Sequence, residues 1–208
     1  MKRATLFLLV GYPGSGKTTA SQIIHDLTGA VHIWADYERR VMFGEPTHSQ
    51  EESKKLYHHL NQQTDMLLGD NQSVIFDTNF NFRDDRDLLR GIAAAHGAET
   101  RLVWVKVDKD IAKKRAMHPA HALDNKYTDT MKSPDFERIT KHLEPPTADE
   151  SPVMLDGTCL SLQYVSQQLG LPLPKHQRIA TSPATPKKPG VIRRIMQKQR
   201  RKRAKTRT

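Results

Sequence analysis

Residues 11–18 read Gly-Tyr-Pro-Gly-Ser-Gly-Lys-Thr, and this octapeptide constrains the fold more than any other part of the sequence. Its glycines at the first and sixth positions, followed by lysine and threonine, meet the Gly-x-x-x-x-Gly-Lys-Thr pattern in full. The short apolar run Thr5–Val10 precedes it, and a helical pattern runs from Gly16 to about Leu27. A strand, a glycine-rich turn and a helix in this order predict a phosphate-binding loop, the P-loop.

The chemistry of phosphate binding explains why these residue types are needed. Glycines let the backbone wrap around a phosphate, and the helix start adds a favourable dipole. We expect Lys17 to neutralise the β and γ oxygens of a triphosphate, Thr18 to bind magnesium and Thr19 to contact the α-phosphate. The predicted cofactors are therefore ATP and Mg²⁺. The predicted nucleotide site comprises Gly11, Pro13, Gly14, Ser15, Gly16, Lys17, Thr18 and Thr19.

Strand and helix patterns alternate along the rest of the chain. A helix opens at the capping-box sequence Ser49–Glu52 and runs to about Leu68. Alternation of this kind predicts an α/β fold of the P-loop NTPase type, with a five-stranded parallel sheet and helices on both faces. The four further predicted strands are Val31–Trp34, Ser73–Phe76, Arg101–Val107 and Val153–Leu155.

Asp36 follows the second predicted strand, at the edge of the sheet where ligands bind in open α/β folds. A carboxylate at this position can take the proton from an attacking hydroxyl. The alternative is a structural role as the N-cap of a helix that starts near Tyr37.

Asp77 ends the third predicted strand and has two interpretations. In the first it is a Walker-B-like acid that holds magnesium or orients Thr18. In the second it forms a structural hydrogen bond to the adjoining loop, Thr78-Asn79.

Arg115 lies one helix beyond the fourth strand, beside Lys113 and Lys114. An arginine above the transferred phosphoryl group would stabilise the negative charge on its oxygens. Neighbouring lysines on the same helix are expected to face solvent. The segment 117–132 has weak periodicity and is predicted to form a mobile lid.

Three stretches resemble the small P-loop kinases called AAA_33 or zeta-toxin-like, and most closely the kinase domain of 5′-polynucleotide kinases. They are Leu9–Thr19, the Asp-x-x-Arg of Asp36 to Arg39, and Asp77-Thr78-Asn79-Phe80-Asn81 with Arg86 following. The resemblance covers about residues 4–156. The family often has a second arginine shortly after the one matched here by Arg115, whereas this chain continues Ala-Met-His-Pro.

The resemblance implies a role for each matched residue. Asp36 would be the general base toward the acceptor hydroxyl, and Arg39 or the adjacent Arg40 would contact the acceptor. Asp77 and Asn79 would organise the site, and Arg115 would be the lid arginine.

The positive charge of the sequence is confined to its end. Of the 33 Lys and Arg residues, 13 lie in residues 157–208, which contain no Asp or Glu. The other 20 Lys and Arg residues lie in residues 1–156, together with all 23 acidic residues. Residues 1–156 are therefore mildly acidic. We therefore predict a kinase domain over 1–174 and a basic, disordered tail over 175–208. Residues 187–207 hold 11 Lys and Arg, and this run is suited to nucleic acid or another polyanion.

Three functional hypotheses follow. The first is an ATP-dependent kinase that transfers the γ-phosphoryl group to a polynucleotide 5′-hydroxyl, and the second is a kinase for a small metabolite or nucleotide sugar. The third is a binding or regulatory NTPase that acts through its basic tail. The sequence has no apolar stretch long enough to span a membrane and one cysteine, so we expect no membrane partner and a cytoplasmic location.

Overall fold

The computed structural model describes residues 3–80, 82–118 and 130–174. The predicted basic tail, Asn81 and most of the predicted lid lie outside these residues. Among the described residues, no helix is long and apolar enough to cross a membrane. In chain order the elements are β1 (Thr5–Val10), α1 (Lys17–Thr28), β2 (Val31–Trp34), α2 (Ala35–Phe43), α3 (Gln50–Gly69), β3 (Val74–Asp77), α4 (Arg83–Ala95), β4 (Glu99–Lys106), α5 (Lys109–Met117), α6 (Ser133–Lys141), β5 (Val153–Asp156) and α7 (Leu162–Leu169).

The five strands form one sheet in the order β2-β3-β1-β4-β5, and every neighbouring pair is parallel. This confirms the predicted five-stranded parallel sheet. This order places β1 at the centre of the sheet. Strands β2 and β3 lie on one side of β1, and β4 and β5 lie on the other, so the strand order switches sides at β1. In open α/β sheets, ligands bind at the carboxyl ends of the strands next to such a switch.

Both faces of the sheet are covered, as predicted, because successive side chains of β1 point to opposite sides. Leu6 and Leu8 pack into the core beneath α3 and α4. Phe7 and Leu9 pack into the other core, beneath α1 and α7. All six residues of β1 are buried, which explains why its sequence is a continuous apolar run and not an alternating one.

Two local predictions need correction. Helix α2 starts at Ala35, with Trp34 in the N-cap position, so Asp36 lies in the first turn and the N-cap alternative is wrong. The capping box at Ser49 is half formed: its hydroxyl accepts the backbone N–H of Glu52 at 3.2 Å. The Glu52 side chain does not return to Ser49, because it accepts hydrogen bonds from Thr47 and Arg39 instead.

Candidate active site

The loop between β1 and α1 has a backbone that only glycine tolerates at its tip. Gly14 has a φ of 79°, and a Cβ there would lie 2.3 Å from the carbonyl oxygen of Ala112 in α5. Gly16 has a φ of 104° immediately before the first residue of α1. Positive φ at these glycines lets the backbone curl immediately before the first turn of α1, and such a turn at a helix N-terminus is suited to phosphate binding.

Lys17 is the first residue of α1, and its side chain folds back over the loop. Its ammonium group donates hydrogen bonds to the carbonyl oxygens of Gly11 and Tyr12, at 3.0 and 3.1 Å. Burial lowers the pKa of Lys17 below its usual value, while the charges of Asp77 and Asp36 act in the opposite direction. The lysine and two predicted carboxylates therefore share one electrostatic site.

Asp36 lies at the mouth of this site, where solvent still reaches its side chain. Nearby protein atoms displace water from around the carboxylate, which raises the pKa of Asp36, and the charge of Asp77 raises it further. Lys17 and Arg39 oppose this shift. A carboxylate with a raised pKa is a stronger base than an ordinary aspartate once it is deprotonated.

Asp77 is the last residue of β3 and is 3% exposed. It is the register partner of Trp34 in β2 and lies on the same face of the sheet as α1. Its Oδ2 accepts a hydrogen bond from Nε2 of His32, at 3.0 Å. The sequence alternatives for Asp77 did not include this partner, because His32 lies on a different strand, 45 positions away.

Arg39 is buried behind Asp36, and its guanidinium is already engaged. Nη1 donates to Glu52 Oε1 at 2.6 Å, and Nη2 donates to Ser53 Oγ at 3.3 Å. Desolvation opposes ionisation of Glu52, but the hydrogen bonds from Arg39 and Thr47 outweigh it and lower its pKa to about 2. Of the two adjacent arginines, Arg39 is the one whose charge lowers the pKa of Asp36.

The predicted Asn79 lies in the loop after β3, two residues beyond Asp77. Thr78 is buried and shares a 3.0 Å hydrogen bond with the hydroxyl of Tyr57 on α3. Asn79 follows and is half-buried.

Arg86, which completes the family-like stretch in the sequence, is 0% exposed. Its Nε and Nη2 donate to the two carboxylate oxygens of Glu150, at 2.8 and 2.7 Å. Arg86 therefore joins α4 to the segment before β5.

Arg115 projects from α5 as an exposed side chain and does not lie free above the loop. Its Nη1 donates to the carbonyl oxygen of Gly157 at 2.8 Å, in the loop between β5 and α7. Gly157 in turn packs on the P-loop, since a Cβ there would lie 2.0 Å from the carbonyl oxygen of Ser15. Sequence reasoning missed Gly157, although the Asp-Gly pair after a predicted strand marks a turn at the carboxyl edge of the sheet.

The side chains that would hold magnesium fit this ion chemically. Thr18 offers a hydroxyl and Asp77 a carboxylate, and Mg²⁺ prefers such hard oxygen ligands. Within residues 3–80, 82–118 and 130–174, no group of three or more His, Cys, Asp or Glu side chains is arranged to hold a metal. A magnesium ion here would be shared with phosphate oxygens and water, as is usual for nucleotide-bound Mg²⁺.

Comparison with known families gives one match that spans most of the chain. The model of the AAA_33 family, described as an AAA domain, matches residues 6–146. A comparison with curated proteins gives no match.

Several solved structures with a similar fold are described as kinases. A sugar kinase from a Janibacter species is 19% identical, with a TM-score of 0.59 over 82% of this chain and 94% of the other. The adenosine phosphosulfate (APS) kinase CysC of Mycobacterium tuberculosis, in complex with AMPPNP and APS, is 15% identical. Its TM-score is 0.55 over 82% of this chain and 99% of the other.

A chain of the Pnkp1/Rnl/Hen1 RNA repair complex is 22% identical to this one, with a TM-score of 0.56. The match covers 69% of this chain and 45% of that chain. At these identities the likeness concerns the fold, which is that of the P-loop kinases.

Proposed function

The chain belongs to the AAA_33 family, and from this membership, its kinase fold and the geometry of its site we propose that it is an ATP-dependent kinase acting on a hydroxyl acceptor. One observation carries the proposal: Asp36 and Asp77 both act electrostatically on the P-loop lysine, Lys17. Asp77 matches the Walker-B-like acid that P-loop NTPases of both kinds carry, whereas Asp36 is a second carboxylate that transfer to a hydroxyl can use as a base and that a hydrolytic switch does not need.

ATP would occupy the P-loop, with its phosphates against the backbone of residues 11–19. Lys17 would exchange its two carbonyl partners for the β and γ oxygens, and Thr18 with Asp77 would hold magnesium. The ion would neutralise the charge that develops on the transferred group. Asn79, on the loop that follows Asp77, would help to organise this part of the site.

Asp36 would accept the proton of the acceptor hydroxyl as its oxygen attacks the γ-phosphorus. Its position in the first turn of α2 supports this role, because the side chain is fixed by a helix and still open to solvent. Arg39 would contact the acceptor only through guanidinium hydrogens not engaged with Glu52 and Ser53. Arg115 would reach the phosphates only by giving up its hydrogen bond to the carbonyl oxygen of Gly157.

Two acceptor classes remain in the proposal. A polynucleotide 5′-hydroxyl is the first, supported by the Asp-x-x-Arg and Asp-Thr-Asn stretches and by the fold shared with a chain of an RNA repair complex. A small metabolite or nucleotide sugar is the second. The carboxylate partner of Arg39 favours this second class, because it neutralises the charge that would otherwise attract an acceptor phosphate.

The division of the chain and its location are proposed on sequence grounds. Residues 1–174 would form the kinase domain, and residues 175–208 would form a basic tail. The protein would act in the cytoplasm. Lys and Arg residues of 187–207 would bind nucleic acid or another polyanion through counterion release. RNA binding of the full chain, compared with a variant that carries Gln at the basic positions of 193–207, tests this across a salt series. Equal affinity and equal salt slope would show that the tail does not contribute.

The acceptor is identified by incubating the protein with γ-labelled ATP and three sets of acceptors: 5′-hydroxyl DNA, 5′-hydroxyl RNA and a metabolite extract. Label on the oligonucleotides supports the first class, and label on a small molecule supports the second. Labelled phosphate alone, released equally by wild type and Asp36→Asn, would contradict both kinase proposals. It would favour the third hypothesis, an NTPase that regulates binding by its tail.

A further inference from the structure

Among the residues that the structure describes, His32 is the one whose side chain hydrogen-bonds the Asp77 carboxylate, from Nε2 to Oδ2 at 3.0 Å. It lies on β2, next to β3 in the sheet, on the face that also carries Asp77 and α1. The His32 side chain is 17% exposed and that of Asp77 3%, so the contact is shielded from solvent. A charge-assisted hydrogen bond in such surroundings fixes a carboxylate more firmly than the same contact at the surface.

The imidazole of His32 also has an aromatic neighbour on its own strand. It stacks on the indole of Trp34, with ring centroids 6.3 Å apart and planes inclined by 13°. Trp34 stacks in the same way on Tyr37, at 6.4 Å and 17°. The rings lie roughly parallel side by side, and the indole occupies one side of the imidazole that donates to Asp77.

We infer that His32 is a positioning residue, which holds the Asp77 carboxylate in the orientation that magnesium-bound ATP requires. The inference rests on the proposed function, in which Asp77 helps to hold the magnesium ion. One carboxylate oxygen, Oδ2, is engaged by His32, so the direction of the other is determined by the same contact. Residues that orient a metal-binding carboxylate in this way commonly change metal affinity 10- to 100-fold when they are removed.

A purely structural role makes a different prediction. If the contact between His32 and Asp77 only added stability to the sheet, its loss would lower the unfolding temperature without a selective effect on magnesium. A positioning role affects magnesium-dependent ATP binding and leaves metal-free ATP binding unchanged, because the His32 side chain hydrogen-bonds Asp77 and, among the described residues, no P-loop residue.

Two substitutions separate these roles. His32→Phe keeps a ring for the stack on Trp34 and removes the donor, whereas His32→Gln keeps an N–H donor at a similar distance from the backbone. His96→Phe is the matched control, because it removes another histidine–aspartate contact, 2.8 Å from Nε2 to Asp65 Oδ1, on the outer surface of α3 and α4.

The experiment is calorimetric titration of the full chain with ATP, in EDTA and at a series of Mg²⁺ concentrations. We expect His32→Phe to raise the half-saturating Mg²⁺ concentration about tenfold or more. Affinity in EDTA should be unchanged, and His32→Gln and His96→Phe should stay within about threefold of wild type.

An unchanged Mg²⁺ dependence in His32→Phe, or an equal loss with and without magnesium, would overturn the inference while leaving the proposed function intact. Wild-type protein that binds no ATP, or binds it without regard to magnesium, would overturn the proposed function as well.

Discussion

Replacing Gly157 by alanine tests whether the loop after β5 supports the P-loop. The new Cβ would lie 2.0 Å from the carbonyl oxygen of Ser15 and 3.2 Å from that of Lys106. Ordinary contact begins at 3.4 Å, so the two backbones must separate by roughly 1.4 Å. Neither partner is a flexible side chain, and the P-loop is held by its own hydrogen bonds, so the strain falls on the nucleotide site.

The expected cost follows from this displacement. Overpacking of this kind destabilises a fold by about 1–3 kcal/mol, and a displacement of about 1 Å at a reacting site can reduce activity about 100-fold. We therefore expect Gly157→Ala to weaken ATP binding by at least tenfold, measured by calorimetry with magnesium present. Gly91→Ala on α4 is the control, because a Cβ there meets nothing within 4 Å. Wild-type ATP affinity in Gly157→Ala would refute the proposed support of the P-loop.

Three further predictions concern charged groups. Arg86→Met should lower the free energy of unfolding in urea by about 3 kcal/mol, because it leaves the Glu150 carboxylate buried without its main partner. The control Arg138→Met removes an exposed ion pair and should change the free energy of unfolding by less than about 0.5 kcal/mol. Equal losses of stability in the two variants would contradict this prediction. Glu52 and Glu150 have pKa values lowered to about 2 from 4.5 in the folded chain, so their stabilising contribution is complete above pH 4.5 and is lost as the pH falls toward 2; the urea midpoint should decrease across this range, and less steeply in Glu150→Gln. Since the pKa of Asp36 is raised above 3.8, phosphoryl transfer should decline on acidification with a midpoint above that value, and a lower midpoint would contradict its role as the base.

Local patterns in the sequence predicted most of the fold. The apolar run of β1 indicated a buried strand, because burial on both faces demands continuous hydrophobicity. The P-loop was predictable because the fixed spacing of Gly11, Gly16 and Lys17 reflects a backbone geometry contained within eight residues. Element bounds differ from the predicted ones by about two residues at β4, where the strand begins at Glu99 and not at Arg101.

Partnerships between distant side chains were not predictable from the sequence. The Glu52 pattern indicated a capping box, but the buried guanidinium of Arg39 attracts its carboxylate more strongly than the backbone N–H of Ser49 does. His32 and Asp77 meet only because β2 and β3 are neighbours in register. Gly157 lies in the loop after β5 and packs on the P-loop. A contact between two loops produces no periodic pattern in the sequence of either loop, so it could not be predicted.

We propose that ATP binding at the P-loop and proton acceptance by Asp36 are parts of one phosphoryl-transfer reaction. This proposal is tested most directly by measuring ATP affinity and phosphoryl transfer in the same preparation of Asp36→Asn. We expect ATP affinity within about threefold of wild type and transfer to the acceptor reduced about 100-fold or more, the effect expected on loss of a general base. Transfer at the wild-type rate in Asp36→Asn, with ATP still bound, would contradict it.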